Sequence, residues 1–353
     1  MLSKGYMDIE TSKGERNMKL NLIAHLRRLS KYLWIILFSI SCYLPKVIAN
    51  GITYGDGEVF KGTYGDLYFE AQGNGTPVVI INGGPGAGHT VFLGWFEFLL
   101  KSDFQLVYFD ETGRGRATRK IDRPITPQMG VDDLEALRKH LNAEKIIVLA
   151  HSYGGIQGLQ YALQYPQHVE KLIMVNASYD AQSHAMNIEH VKHVTENRYP
   201  LRWKELLKLR KQGVPGTDER YNELLSLGAD MYWYNPENSH RLRKLRTWNR
   251  LDGFALQTYF DIIGDDAEWS LGGTLQGLEV EKDLKGFNIP TLIIAGRYDQ
   301  ITTPKIVHRF LEMLPPRVAE IHMFEKSGHW PWVEENKRFI DVVETFLRKN
   351  ETD

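Results

Sequence analysis

The chain has 353 residues, 42% of them hydrophobic, and 31 glycines, enough for one large mixed α/β domain or a domain with an insertion. Its 43 Lys and Arg nearly cancel 44 Asp and Glu, leaving a formal net charge of −1, so no basic excess points to nucleic acid. The single cysteine, Cys42, excludes an intrachain disulfide and a thiolate metal site.

Lys19, Arg27, Arg28 and Lys31 precede an apolar run over residues 32–44, and Pro45 and Ala49 follow. A basic region, a short apolar core and a small residue predict a secretory signal peptide over residues 1–49, and a secreted or periplasmic mature protein. The run is shorter than the ~20 residues of a comfortable membrane span. An uncleaved N-terminal anchor is the alternative, and it is the one route to a membrane that the sequence offers.

Residues 52–72 hold alternating, aromatic-rich segments separated by glycines, read as two antiparallel strands. Residues 77–81, PVVII, read as a buried strand running into Asn82-Gly83-Gly84-Pro85-Gly86-Ala87-Gly88. Glycines at a strand end let backbone N–H groups approach a ligand. No G-K-[ST] and no G-x-G-x-x-G register is present, which argues against a nucleotide loop. Residues 104–110 form the next strand and lead into a tight turn over 110–117. Val131, Leu134, Leu137 and Leu141 recur at helical spacing and predict a helix over 126–141.

The apolar run Ile146–Leu149 predicts a strand covered on both faces. It leads into Ala150-His151-Ser152-Tyr153-Gly154-Gly155, close to the G-x-S-x-G nucleophile elbow. The turn is sharp enough that flanking positions must be small, and it lifts the Ser152 hydroxyl above the sheet. Residues 171–178 predict a further strand. From 179 to 285 buried strands give way to helical stretches rich in Trp, Tyr and charge, a helical cap between two halves of a sheet domain (50–178 and 286–353). Within it the basic run from Arg241 to Arg250 reads as a solvated helix face. His184, His190 and His193, irregularly spaced, read as surface histidines. The sheet resumes at 290–296, followed by Arg297-Tyr298-Asp299. A helix over 304–314, a strand over 319–324, the loop Lys326-Ser327-Gly328-His329-Trp330-Pro331-Trp332 and an amphipathic helix over 336–347 complete the chain.

Ser152, Asp299 and His329 each follow the carboxyl end of a predicted strand, where open α/β sheets build their sites. Their order matches that of an α/β-hydrolase, so the predicted fold is α/β: a mostly parallel central sheet with helices on both faces and an inserted helical cap. His329 would take the Ser152 proton, and Asp299 would hold the imidazole tautomer and stabilise its cation. The oxyanion hole would use the N–H groups of Tyr153 and Gly84.

These blocks resemble the proline iminopeptidase family of α/β-hydrolases. Asn82-Gly83-Gly84-Pro85-Gly86 is similar to its H-G-G-P-G loop, and residues 110–117 resemble its D-Q-x-G-x-G-x-S turn. The A-H-S-Y-G-G elbow, the G-R-Y-D turn and S-G-H-W-P-W-V-E-E match its remaining blocks in order. The resemblance runs from about residue 55 to the C-terminus and is weakest in the cap. It implies a metal-free serine aminopeptidase that releases N-terminal residues, often proline, from short peptides and amino-acid amides, without a cofactor. Asn82 replaces the loop histidine, Glu111 and Thr112 replace Gln and a variable residue, Ala117 replaces a serine and Ala150 a glycine. Family members carry cap glutamates for the substrate's free amine. Glu268 most resembles one of these, with Glu237 and Glu223 as weaker candidates. Trp269, with Trp203, Trp233 and Trp248, is a candidate wall of a prolyl pocket or part of the cap core. An esterase, lactonase or amidase on the same triad, and a non-catalytic hydrolase-like binding protein, are the alternatives.

Overall fold

The computed structural model describes residues 47–49, 52–54, 57–221, 229–245, 254–267 and 269–349. The basic and apolar parts of the predicted signal segment therefore lie outside the described residues, as do Glu223, Trp248 and Glu268. Val47–Ala49 (β1) pairs antiparallel with Ile52–Tyr54 (β2), Val47 opposite Tyr54. This hairpin belongs to a unit ending at Gly55, and the chain from Asp56 onward forms a second unit.

The second unit is built on an eight-stranded sheet. Its strands are Glu58–Lys61 (β3), Asp66–Gln72 (β4), Thr76–Ile81 (β5), Phe104–Asp110 (β6), Ile146–His151 (β7), Val169–Val175 (β8), Thr291–Gly296 (β9) and Ala319–Phe324 (β10). The spatial order is β10-β9-β8-β7-β5-β6-β4-β3. β5 to β10 run parallel, and β4 and β3 are added antiparallel at one edge. β7 lies inside the sheet, with Val148 opposite Val79 of β5 and Leu172 of β8. All six of its residues are buried, as a β-branched run covered on both faces requires. At the edge, β3 buries Phe60 alone and leaves Glu58 and Lys61 exposed, a charged rim that discourages pairing with another strand.

The helices are Pro127–His140 (α1), Gly154–Gln164 (α2), Ala181–Arg198 (α3), Pro200–Lys211 (α4), Ser239–Leu245 (α5), Leu256–Ile263 (α6), Pro304–Met313 (α7), Pro331–Glu334 (α8) and Asn336–Arg348 (α9). Val79, Val107 and Val148 share one core with Leu134 and Leu137 of α1, Leu159 and Ala162 of α2, and Ile306 and Phe310 of α7. A second buried layer is aromatic. Phe92 and Phe96, from the turns after β5, meet Trp332 at 5.5 and 5.9 Å, and Phe96 stands edge-on to Phe339 of α9 at 5.8 Å.

Local signals set the helix starts. α1 has Pro127 in its first turn, and Thr126 accepts from the Met129 N–H at 3.4 Å. α3 begins in a capping box: Ser183 N–H donates to Asp180 at 2.7 Å, and Asp180 N–H donates to Ser183 Oγ at 3.0 Å. Between β8 and β9 the described residues contain helices α3 to α6 and no strand.

β8 ends at Val175, earlier than the predicted 178, because residues 176–178 turn off to brace the site. The basic run also departs from expectation where it is described. Arg241 is not on a solvated face: its guanidinium lies over the Trp95 ring at 5.6 Å and donates to the Val333 carbonyl.

Candidate active site

Ser152 occupies the turn between β7 and α2 with φ of +57°, a left-handed conformation that non-glycine residues rarely hold without a surrounding reason. The reason is close packing. A Cβ on Gly154 would stand 2.6 Å from the Asn82 carbonyl oxygen, and one on Gly155 2.5 Å from both Ala177 Cβ and the Ser178 carbonyl. Main-chain bonds fix the turn: Ser152 N–H donates to Val175 O at 3.2 Å, and Ser178 N–H donates to Ser152 O at 3.0 Å. Tyr153 caps α2 with helical dihedrals, so its N–H opens the helix beside the serine.

Asp299 and His329 meet as the chain order predicts. His329 Nδ1–H donates to Asp299 Oδ2 at 2.8 Å, with both side chains buried. The other carboxylate oxygen accepts the N–H groups of Ile301 and Thr302 at 2.8 and 2.9 Å, which holds Asp299 in one orientation. Among the described residues the imidazole's side-chain partner is Asp299, and Ser152 Oγ is not bonded to it here. Such hydroxyl–imidazole contacts are commonly long without substrate. What joins the serine turn to the histidine loop is His151. Its Nε2–H donates to the His329 carbonyl at 3.1 Å, and the two rings lie 4.5 Å apart. Burial, with the neighbouring His329 adding to it, pushes the His151 pKa well below its usual range, so its ring is neutral. Asn176, at φ +43°, bridges the other two strand ends: its Nδ2 donates to Gly328 O at 2.9 Å and its Oδ1 accepts from Gly296 N–H at 2.7 Å.

Gly84 also has positive φ, +106°, in the loop after β5. The loop touches the helical insertion, since Ala255 N–H donates to Gly86 O at 2.8 Å and Phe254 lies against Gly84 and Gly86. Asn82, in the place of the family's loop histidine, is fully buried. Its Nδ2 donates to Phe109 O at 2.6 Å and reaches Glu111 at 3.4 Å. Glu111 accepts from Arg114 at 3.1 Å. Gln157 closes the group when its amide nitrogen faces Glu111 Oε1 at 2.9 Å and its oxygen takes Arg114 Nη2 at 3.1 Å. The Arg114 guanidinium lies over the Tyr153 ring at 5.4 Å. Burial, opposed by Arg114, pushes the Glu111 carboxyl up to about 7. Burial, opposed by the Thr112 N–H bond, pushes Asp133 up to about 6.

Beside this network is a second one that sequence reasoning missed. His89, 1% exposed, lies between Asp110 at 2.8 Å and Glu70 at 3.2 Å. Burial opposes its charge, but the two carboxylates outweigh it and raise its pKa to about 10. Asp110 also accepts the N–H groups of His89 and Arg116, at 2.7 and 2.9 Å, so one ion cluster fixes both loops. The histidine in GPGAGHT and the aspartate at the end of FQLVYFD were the available signals.

The substrate candidates from the cap fare differently. Glu268 lies outside the described residues. Glu237 is exposed on the turn Pro236–Asn238, so it is not the buried carboxylate an ammonium group was expected to meet. Trp269 meets Trp203 at 5.0 Å with the ring planes tilted by 46° and the Arg210 guanidinium 4.6 Å from its ring, in a cluster with Leu206, Leu209 and Tyr221. That places it in the cap's own core rather than on a pocket wall. Trp233 does approach the site, 6.1 Å from Trp330. His184 is half-buried rather than fully solvated: it stands edge-on to Tyr153 at 6.4 Å, and burial lowers its pKa to about 4. Among the described residues no group of three His, Cys, Asp or Glu converges as a metal site would require.

A family model described as alpha/beta hydrolase fold matches residues 76–335. The proline iminopeptidase of Heyndrickxia coagulans is 25% identical over 303 residues, covering 84% of this chain and 98% of its own. That of Clostridioides difficile strain 630 is 28% identical over 301 residues, covering 83% and 97%. Among solved structures, the proline iminopeptidase of Mycobacterium smegmatis superposes with a TM-score of 0.67 at 21% identity, over 83% of this chain and 97% of that one. At that identity the superposition speaks for the fold.

Proposed function

The chain belongs to the α/β hydrolase fold family, and on that premise we propose that it is a serine aminopeptidase releasing N-terminal residues, proline among them, from short peptides. The observation that carries this reading is the buried His329–Asp299 pair, at 2.8 Å, beside a serine held at φ +57°. The likeness to curated proline iminopeptidases over most of the chain supports the substrate class.

The chemistry follows from the groups present. Ser152 Oγ attacks the scissile carbonyl carbon while His329 Nε2 takes its proton. Asp299 stabilises the resulting imidazolium through the Nδ1–H bond. The carbonyl oxygen gains charge and accepts from the N–H groups of Tyr153 and Gly84. Collapse breaks the C–N bond, and His329 returns its proton to the leaving amine. Water, deprotonated by His329, then cleaves the Ser152 ester and releases the amino acid.

The test of the triad is covalent. A fluorophosphonate should add its mass to Ser152 in the wild-type chain, slowly in His329→Ala and not at all in Ser152→Ala. Labelling that persists in Ser152→Ala would contradict the assignment. A second reading, an esterase or amidase on the same triad, is favoured by the exposure of Glu237, since a solvated carboxylate holds an ammonium group with only about 0–1 kcal/mol. The leader composition supports a secreted or periplasmic enzyme. Fractionation with N-terminal sequencing should find a mature chain beginning near Asn50, and an intact chain in the membrane fraction would favour the anchor instead.

A further inference from the structure

We propose that Glu334 is a positioning residue that ties the 232–238 segment to the loop bearing His329, so that the helical insertion sets the geometry of the base as well as lying over it. This rests on the reading of His329 as the general base.

One carboxylate gathers four donors from two parts of the chain. Glu334 Oε2 accepts the N–H groups of Gly328 at 2.7 Å and Tyr234 at 3.1 Å. Its Oε1 accepts Asn235 N–H at 2.9 Å and Asn238 Nδ2 at 3.3 Å. Gly328 immediately precedes the catalytic candidate, while the other three donors come from the insertion. The main chain makes the same connection without Glu334: His329 N–H donates to Tyr232 O at 2.7 Å. The two backbones touch so closely that a Cβ on Gly328 would stand 2.5 Å from the Tyr232 oxygen and 2.9 Å from Trp233 Cα. The Tyr232 ring then meets the imidazole edge-on at 5.4 Å. Glu335 braces the loop from behind, accepting Lys326 N–H and Ser327 Oγ, each at 2.8 Å.

Hydrogen bonds to an ionised carboxylate are about twice as strong as neutral ones. Gly328 is therefore clamped between Glu334 and residues 232–233, and His329 has little freedom to drift from Asp299. A purely structural clamp would contribute stability and leave the imidazole unchanged. A positioning clamp affects the His329–Asp299 bond itself, and that difference is measurable.

The test uses the full chain and Glu334→Gln, which keeps the volume but turns an N–H₂ group toward two of the donors. Three readouts are compared with wild type: the low-field proton resonance of the His329 Nδ1–H, kcat and KM for a small acyl ester, and the thermal midpoint. The expected result is a folded variant whose low-field resonance is lost or broadened, with kcat down roughly tenfold and KM changed less than about twofold. Gly328→Ala, which pushes residues 232–233 away by a different route, should reproduce the same pattern and decides the matter if Glu334→Gln fails to fold. Added to Glu334→Gln it should cost little more, because both act on one contact. A wild-type resonance and kcat in both variants, whatever their midpoints, would overturn the proposal. If wild type shows no Ser152-dependent turnover, the aminopeptidase reading falls, and the low-field resonance alone then decides whether Glu334 positions His329.

Discussion

Asp299 commits one oxygen to His329 and the other to two backbone N–H groups, so its orientation is fixed before substrate arrives. Asp299→Asn keeps the shape but presents an N–H₂ group to one of those partners, which selects the wrong imidazole tautomer. We expect kcat to fall by about four orders of magnitude with KM little changed, read by steady-state kinetics on a prolyl anilide. A fall of less than tenfold would remove Asp299 from the mechanism. His89 acts at a different level. Its ring holds two buried carboxylates together at the base of the loops that carry Gly84 and Arg114. Removing it in His89→Ala leaves Asp110 buried without the imidazolium, while Glu70 keeps the Arg116 guanidinium at 3.6 Å and the Tyr68 hydroxyl at 2.8 Å, and we expect a loss of roughly 3–5 kcal/mol in urea unfolding. Unchanged stability would show that water replaces the ring.

At the scale of elements, the serine turn is a junction of three backbones that leaves no room for side chains beyond the glycines. Gly155→Ala would place its Cβ against Ala177 and the Ser178 carbonyl, and we expect about 1–3 kcal/mol of destabilisation with a larger proportional loss of activity. Wild-type activity and midpoint in that variant would show that α2 can shift freely. Much of this junction was legible in the sequence. Ser152, Asp299 and His329 sit at the ends of apolar runs, and residues 104–110 and 319–324 form strands with the predicted bounds, the first largely buried inside the sheet and the second half-buried at its edge. Other residues carried none. Asn176 looks like a strand residue, and only its pairing with Gly296 and Gly328 reveals its bridging role. Gln157 meets the neighbouring pair Glu111 and Arg114 across a long sequence separation, and Trp269 and Glu237 take their surroundings from cap packing that no periodicity encodes. Helices were legible in the stretch between β8 and β9, where the described residues form them, while the fate of each side chain there was not.

For the molecule as a whole, buried titratable groups give stability a defined dependence on pH. The folded state raises Glu111 to about 7 and Asp133 to about 6, from usual values of 4.5 and 3.8, with burial the leading cause. Folding therefore takes up protons at both groups, and their contribution to stability is lost as pH rises from about 4 to 7. His89 has the same sign in a higher window: its contribution is complete below its usual 6.5 and is lost as pH rises through about 10. Urea midpoints measured across these ranges should show both slopes, with Glu111→Gln flattening the lower and His89→Gln the upper. Slopes unaltered by either substitution would contradict the assignment. The central claim, that the site is a serine aminopeptidase, is tested most directly by one comparison on the chain from Asn50 onward: hydrolysis of a free-amine prolyl anilide, its N-blocked form and a simple acyl ester, each with Ser152→Ala as control. The account predicts that the free-amine anilide is preferred and that its turnover disappears both on blocking the amine and in Ser152→Ala. Cleavage of the ester alone, or equal cleavage of the blocked anilide, would contradict it.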